Sequence, residues 1–315
     1  MSGSDMSVTE IVVRAPAKVN LLIRVLDRLP NGYHNVWSLM HTVDVFDLLR
    51  IRLNPDRDGL VLTCGDAPLP LDKGNLVYRA AELVLQRSEK NVGVDIELTK
   101  VIPLSAGLGG GSSDAAATLY GLTHLLGLDW TLSDLCEAGA TLGSDIPFFF
   151  KAPCAVVRGW GHEVEACSLK GERWVVLVNP GFPIQTKWAY KQLSSQREAV
   201  RPLGEFTKRI DREMSLSWEE VIGIMENDFE PPLFPFYPIL GFIKDTLLSF
   251  GAQAALLSGS GATVFGIFRT QEEARKASTR LRRDTSWRIF DIPMGSTDLP
   301  HDPFHVGSSS QVSNV

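Results

Sequence analysis

Pro103-Leu104-Ser105-Ala106-Gly107-Leu108-Gly109-Gly110-Gly111-Ser112-Ser113-Asp114 runs directly into Ala115-Ala116-Ala117-Thr118-Leu119. A strand-like Val94-Asp95-Ile96-Glu97-Leu98 precedes it, and Leu119, Leu122, Leu125 and Leu126 form one apolar helical stripe after it. Glycines remove the Cβ clash and let successive N–H groups turn inward, which makes an anion-binding concavity. Ser112 or Ser113 is expected to cap the following helix, whose exposed N–H groups and dipole add to the same site. Together these features predict a phosphate cradle; the alternative is a glycine-rich turn or a close helix–helix contact. The stretch is not a P-loop, because serine follows the last glycine where GxxxxGK[ST] needs lysine. It is not a dinucleotide fingerprint either, since the glycines do not fit GxGxxG.

Outward from this loop the chain reads as an α+β protein. Glu10 to Val13 and Val19 to Leu26 predict two strands separated by Ala15-Pro16-Ala17-Lys18, with a turn at Asn31-Gly32 before Tyr33-His34. Val36 to Arg52 is strand-like, and the Pro55–Gly59 turn predicts an antiparallel pairing with Leu60 to Cys64. Asn75 opens a helix, and Thr131/Asp134, Ser217/Glu220 and Thr270/Glu273 have capping-box spacing. Gly143-Ser144-Asp145-Ile146-Pro147 is a second tight turn. The second half is expected to begin near Ala155, with strands over 174–178, 256–268 and 287–292 and helices over 186–193 and 239–248. Short strands mixed with helices fit α+β better than regular βαβ repetition.

The 315 residues suffice for about two domains. Formal net charge is -6, which argues against a nucleic-acid or membrane surface while allowing a local basic pocket. Cys64, Cys136, Cys154 and Cys167 show no CxxC spacing, so reduced thiols and a cytoplasmic setting are expected. No signal-peptide pattern opens the chain, and the six histidines lack metal-ligand spacing. Beyond Gly295 there is little to bury, and a disordered tail over 296–315 is expected.

Several residues could carry chemistry. Lys18 is either solvated or a cation for developing charge; Asp145 is either a turn residue or an acceptor-orienting carboxylate, as phosphoryl transfer needs. Tyr33-His34 makes local hydrogen bonds or forms part of a ring pocket. Ser258-Gly259-Ser260-Gly261 is a weak signal alone and gains weight as a second loop closing on a phosphate-bearing ligand.

Three stretches, Pro16-Ala17-Lys18-Val19-Asn20-Leu21, Pro103 to Ala115 and Leu257-Ser258-Gly259-Ser260-Gly261-Ala262-Thr263, occur in an order that resembles the GHMP small-molecule kinase superfamily. Asn31-Gly32-Tyr33-His34, Gly143-Ser144-Asp145-Ile146-Pro147 and Asn227-Asp228-Phe229-Glu230 make the chain similar to members acting on 4-diphosphocytidyl-2-C-methyl-D-erythritol, over residues 11–293. Asn31 stands where such members usually carry aspartate.

The resemblance implies two domains around a deep cleft. Residues 1–154 would be an ATP-binding domain like ribosomal protein S5 domain 2, and residues 155–295 a ferredoxin-like domain. It implies transfer of the γ-phosphoryl of ATP to the 2-hydroxyl of that substrate, in non-mevalonate isoprenoid precursor biosynthesis. Mg²⁺ would be held mainly through ATP phosphates, with no protein metal site, in a monomer or weak homodimer. Asp145 would orient or deprotonate the hydroxyl beside Lys18, with Asn20 holding substrate. The backbone of Ala106, Gly107, Leu108, Gly109, Gly110, Gly111, Ser112 and Ser113 would wrap the ATP phosphates, with Asn75, Lys100 and Asp114 near the nucleoside end and Pro103, Leu104 and Ser105 also binding ATP. Tyr33 and His34 would recognise cytosine opposite Tyr190, Thr186 would contact substrate, and Gly259, Ser260, Gly261 and Ala262 would close around it. The rivals are another kinase of the superfamily and a non-catalytic nucleotide- or RNA-binding protein.

Overall fold

The computed structural model of the protein describes residues 9–30, 32–65, 67–197, 199–294 and 304. Its spine is a pair of long antiparallel strands, β1 (Glu10–Arg28) and β2 (His34–Asn54). Where two opening strands are expected, one continuous strand is found. Pro16 falls at a register shift between Pro16 and Ala17, which accommodates a residue that cannot donate to the ladder. A second shift lies between Asn20 and Leu22.

The expected antiparallel pairing of β3 (Leu60–Thr63) with β2 does not form. After α1 (Leu76–Ser88), strand β4 (Gly93–Thr99) takes the place beside β2, and β3 pairs with β4 in parallel. The reason is burial: Val94, Ile96 and Leu98 are buried, whereas only Leu62 of β3 is, so the more apolar strand takes the inner position. The helices α2 (Gly110–Leu125), α3 (Leu132–Leu142) and α4 (Ile146–Phe149) follow. Then β5 (Cys154–Gly159) pairs with the first half of β2, and β6 (Glu163–Ala166) pairs with β5. The first sheet thus continues past residue 154, where the second half is expected to begin.

The chain goes on through β7 (Ser168–Lys170), β8 (Arg173–Asn179), α5 (Thr186–Gln196), α6 (Glu205–Glu213), β9 (Ser215–Ser217), α7 (Trp218–Ile222), α8 (Glu230–Leu233) and α9 (Pro238–Ser249). It ends in the hairpin β10 (Ala254–Leu257) and β11 (Val264–Phe268), then α10 (Gln271–Asp284) and β12 (Arg288–Met294). A second, antiparallel sheet has the order β10-β11-β8-β12. The capping boxes at Thr131, Ser217 and Thr270 all form. Between the two sheets Val19, Leu21, Trp37 and Leu39 pack with Val175, Leu177, Phe265 and Ile267, so the sheets share one continuous buried layer.

The expected disordered tail, 296–315, lies outside the described residues except for Phe304. Contrary to the expectation of little to bury, Phe304 is fully buried. Its ring stacks on Tyr120 of α2 at 5.0 Å and meets Phe150 edge-on at 5.9 Å, and its carbonyl accepts from the Arg14 N–H at 2.9 Å. Phe304→Ala should destabilise the chain by about 3 kcal/mol through the cavity left, read as a lower urea midpoint. An unchanged midpoint would show that the ring is not packed in solution.

Candidate active site

The glycine-rich loop has alternating handedness. Ser105, Gly107 and Gly109 take φ of +51°, +78° and +71°, while Ala106 and Leu108 between them do not. That alternation turns successive N–H groups toward one side, the conformation of an anion nest. The carbonyls are held by other parts of the chain. Ala106 O accepts from Thr263 N at 3.1 Å, Gly107 O from Ser258 Oγ at 2.9 Å, and Leu108 O from Lys18 N at 2.9 Å. Two glycines are required by contact: a Cβ on Gly107 would lie 2.0 Å from Ser258 O, and one on Gly109 2.9 Å from Lys18 Cγ. The expected serine cap is absent. Gly109 is the N-cap of α2 without a side-chain bond, and Ser112 and Ser113 lie inside the first turn. Ser112 faces the cleft; Ser113 is buried, with its hydroxyl unpaired, and does not line it.

Lys18 enters from β1 beneath this loop. Its amine donates to Asn20 Oδ1 at 2.7 Å and lies 3.8 Å from Asp145 Oδ2. Asn20 Nδ2 in turn donates to Ser38 Oγ at 2.9 Å, and Ser38 Oγ to Leu22 O at 2.7 Å, which fixes the amide orientation. Asp145 occupies the N-cap of α4 but makes no capping bond, so its carboxylate faces Lys18 instead. Burial pushes the Lys18 amine below its ordinary value, and the Asp145 charge opposes that shift.

A second buried lysine is differently placed. Lys100 donates to Asp47 and, at 2.6 Å, to Asp114. Asp47 also accepts from the N–H groups of Val101 and Ile102 at 2.6 and 2.9 Å, which anchors the entry to the phosphate loop. Asp47 is absent from the sequence reading; nothing in its local context marks it. Asn75 caps α1 through Val77 N at 3.0 Å and donates to Pro70 O at 2.9 Å. Beside it Leu69, Pro70, Leu76 and Leu104 make an apolar end to the cleft.

At the far end the rings assemble differently from the sequence expectation. Tyr190 stacks directly on His34, 4.9 Å apart at 19°, and meets Phe229 edge-on. Tyr33 lies instead beside Trp160, at 5.9 Å. Trp160 was missed by sequence reasoning; its signal is an aromatic between Gly159 and Gly161, both at positive φ. His34 bonds Ser194 Oγ at 3.1 Å, and burial with the Arg28 and Arg197 charges lowers its pKa, leaving a neutral ring. Burial, with Asp145 nearby, raises the Tyr190 phenol, so it stays protonated. Gly32 has φ +86°, as the expected turn needs; Asn31 lies outside the described residues. Thr186 Oγ1 is 3.2 Å from Ser260 Oγ.

Lys18, Asn20, Lys100, Asp114, Asp145 and the rings of Tyr33, His34, Trp160 and Tyr190 line one cleft of about 1140 Å³, which runs from Asn75 past Gly107 and Lys18 to Tyr33 and Tyr190. It exceeds the roughly 300–1,000 Å³ of a site for one drug-sized ligand, as two substrates held together require. Gly259, Ser260 and Gly261 line it as well, while Ala262 is buried outside it. Among the described residues no group of three or more His, Cys, Asp or Glu could hold a metal ion. No helix among them is long and apolar enough to cross a membrane.

The lysine–carboxylate triad generates a pH prediction. Burial, with Asp47 beside it, pushes Asp114 from an ordinary 3.8 up to about 8 against the pull of Lys100. The folded carboxyl therefore keeps a proton that the unfolded chain releases, so this group's stabilisation is full at low pH and is lost as pH rises toward 8. Asp114→Asn should flatten the fall of Tm between pH 5 and 8, measured by circular dichroism; parallel profiles for the two proteins would refute the assignment.

Comparison with known proteins follows the same lines. The family model "GHMP kinases N terminal domain" matches residues 75–152 and "GHMP kinases C terminal" matches residues 205–285. The chain is 42% identical over 278 residues to 4-diphosphocytidyl-2-C-methyl-D-erythritol kinase of Geobacter sulfurreducens, covering 88% of this chain and 96% of that protein. A crystal structure of 4-(cytidine 5'-diphospho)-2C-methyl-D-erythritol kinase superposes with a TM-score of 0.73 at 31% identity, covering 90% of this chain and 99% of that one. Homoserine kinase from Cytophaga hutchinsonii shares the fold, with a TM-score of 0.72 at 22% identity over 94% and 97% of the two chains. With the nest, the buried lysine and the paired carboxylate already in one cleft, these matches establish that the chain belongs to the 4-diphosphocytidyl-2-C-methyl-D-erythritol kinases of the GHMP kinase family.

Proposed function

We propose that the cleft binds ATP on the Asn75 side and 4-diphosphocytidyl-2-C-methyl-D-erythritol on the Tyr33 side, meeting at Lys18 and Asp145. The reaction is ATP-dependent phosphorylation of the 2-hydroxyl, giving the 2-phosphate and ADP, in the non-mevalonate pathway. The observation that carries this reading is the 3.8 Å approach of Lys18 and Asp145 beside the nest, with an aromatic pocket in the same cleft.

Phosphoryl transfer needs alignment and charge stabilisation more than covalent help. Asp145 accepts the hydroxyl proton or orients it, and Lys18, with that single carboxylate nearby, faces the negative charge that develops. Asn20 holds the amine and the sugar alcohol in register. The backbone from Pro103 to Ser112 cradles the triphosphate, with Ser113 and Asp114 supporting from beneath. The apolar wall of Leu69, Pro70 and Leu76 suits a nucleobase. Neutral His34 and the rings of Tyr33, Trp160 and Tyr190 suit a cytosine, which they hold by stacking and hydrogen bonding. Mg²⁺ bound to ATP would supply neutralisation of the phosphate charge. The donors present, chiefly the Ser112 hydroxyl and the Asp145 carboxylate, fit an ion held mostly by phosphates and water.

The order β8-α9-β10-β11-α10-β12 is βαββαβ with spatial order β10-β11-β8-β12, which supports a ferredoxin-like second domain. The first sheet with α1 and α2 is read as the domain like ribosomal protein S5 domain 2.

An ADP-release assay with cytidine-diphosphate-linked, mevalonate-type and homoserine acceptors tests the function. Turnover only of the cytidine-linked substrate is expected, and turnover confined to another acceptor overturns the specificity. Asp145→Asn should lower kcat by about 10²–10⁴-fold, the usual range for a proton-transfer group, with ATP affinity by calorimetry nearly unchanged. Full activity in that variant would remove Asp145 from the role.

A further inference from the structure

Asn227-Asp228-Phe229-Glu230 lies far from the glycine-rich loop in sequence, and only Phe229 of the four faces the cleft. The other three side chains point behind it and are buried. Asn227 uses its whole amide there. Its Nδ2 donates to Leu257 O at 2.7 Å and Gly259 O at 2.8 Å, and its Oδ1 accepts from Phe229 N at 2.8 Å. Two carbonyls on one side and an N–H on the other leave a single orientation for the amide. Glu230 adds to the hold by accepting from Leu257 N at 2.8 Å.

The same segment is tied to β1. Ile23 N donates to Glu226 O at 3.0 Å, Asp228 N to Ile23 O at 3.1 Å, and Val25 N to Asp228 Oδ2 at 2.8 Å. It is therefore a brace between the strand that carries Lys18 and Asn20 and the loop over 258–262. That loop sits against the reacting groups: a Cβ on Gly259 would lie 3.5 Å from Lys18 Nζ and 3.4 Å from Asn20 Oδ1.

We propose that Asn227 is a positioning residue for phosphoryl transfer, acting through the Gly259–Ser260 peptide. This peptide is trans, so the Ser260 N–H points opposite to the Gly259 carbonyl. Holding that carbonyl on Asn227, behind the loop, aims the Ser260 N–H toward the cleft that Gly259 and Ser260 line. The N–H is then a fixed donor for a phosphate of the bound substrates. With Gly259 at φ +53°, a loosened peptide has other conformations open to it, and the donor would have to be ordered anew in each turnover.

Asn227→Asp keeps the shape and removes both donors, and Asn227→Ser keeps one. Misplacing a donor in this way predicts a fall in kcat of about 100-fold for N227D and less for N227S, with the KM for ATP changing under threefold. Leu281→Ala, in the core beneath α10, serves as a destabilised control; it should lose Tm without losing kcat at 25 °C. In the unaltered enzyme, hydrogen exchange at the Ser260 amide should slow when substrate or a non-hydrolysable ATP analogue is added. A kcat for N227D within threefold of the unaltered enzyme, or an equal kcat loss in L281A, overturns the proposal. So does a Ser260 amide that neither ligand protects. The inference rests on the kinase reading of the cleft, whose failure would appear as an inactive unaltered chain, whereas this one fails only by comparison with an active one.

Discussion

The backbone of one loop touches the backbone of another at Gly107 and Ser258, and the site depends on that approach. With 2.0 Å between Ser258 O and the place of a Cβ on Gly107, no other residue fits. The contact is reinforced from both sides by Ser258 Oγ on Gly107 O and Thr263 N on Ala106 O. Its consequence is geometric. Three successive loop carbonyls, from Ala106 to Leu108, are occupied by protein donors, and the N–H groups are left toward the cleft. A nest built this way is ordered by the protein's own contacts, so an anion binding there would not have to order it.

Two lysines lie buried beside this loop, and their partners separate their roles. Lys100 meets two carboxylates, Asp47 and Asp114, and although burial alone would lower its pKa, they hold it above its ordinary value. Both carboxyls touch its amine directly, and through Asp47 it anchors Val101 and Ile102. Lys18 has one carboxylate at 3.8 Å and a neutral amide. Burial without matching compensation pushes its pKa down, and it lines the cleft. The lysine with fewer partners is the one suited to meet charge that appears only during a reaction.

Much of this was legible in the sequence because it is local. A glycine's freedom and a capping box three residues long are set by neighbours in the chain, so the turning of the glycine-rich loop and the helix starts at Thr131, Ser217 and Thr270 were readable. What could not be read depends on distant partners. Whether β3 meets β2 or β4 is decided by a strand that comes later, and Asp47 matters only because Lys100 and Asp114 arrive beside it. Trp160 and Phe304 are likewise ordinary aromatics until Tyr33 and Tyr120 face them. The misplaced serine cap has a different cause: Gly109 in the left-handed region starts the helix three residues before Ser112, a conformation open to a glycine without help from a side chain.

Two of the three register shifts along the β1–β2 ladder bracket the part of β1 that serves both core and cleft. Between them, alternation puts Val19 and Leu21 into the layer shared by the two sheets, and Lys18 and Asn20 onto the cleft side. An uninterrupted ladder would force the strand's whole length to obey one alternation, which Leu22, buried directly after Leu21, does not. The shift between Asn20 and Leu22, where β1 carries one extra residue, resets the phase, and Ser38, bonded to both Asn20 and Leu22 O, bridges it. Lys18 and Asn20 therefore stand on a strand whose neighbours are held in a buried core. That strand is also braced by Asn227 and Asp228 to the loop that completes the site. Rigidity at Lys18 is thus a property of the inter-sheet packing as much as of its own contacts.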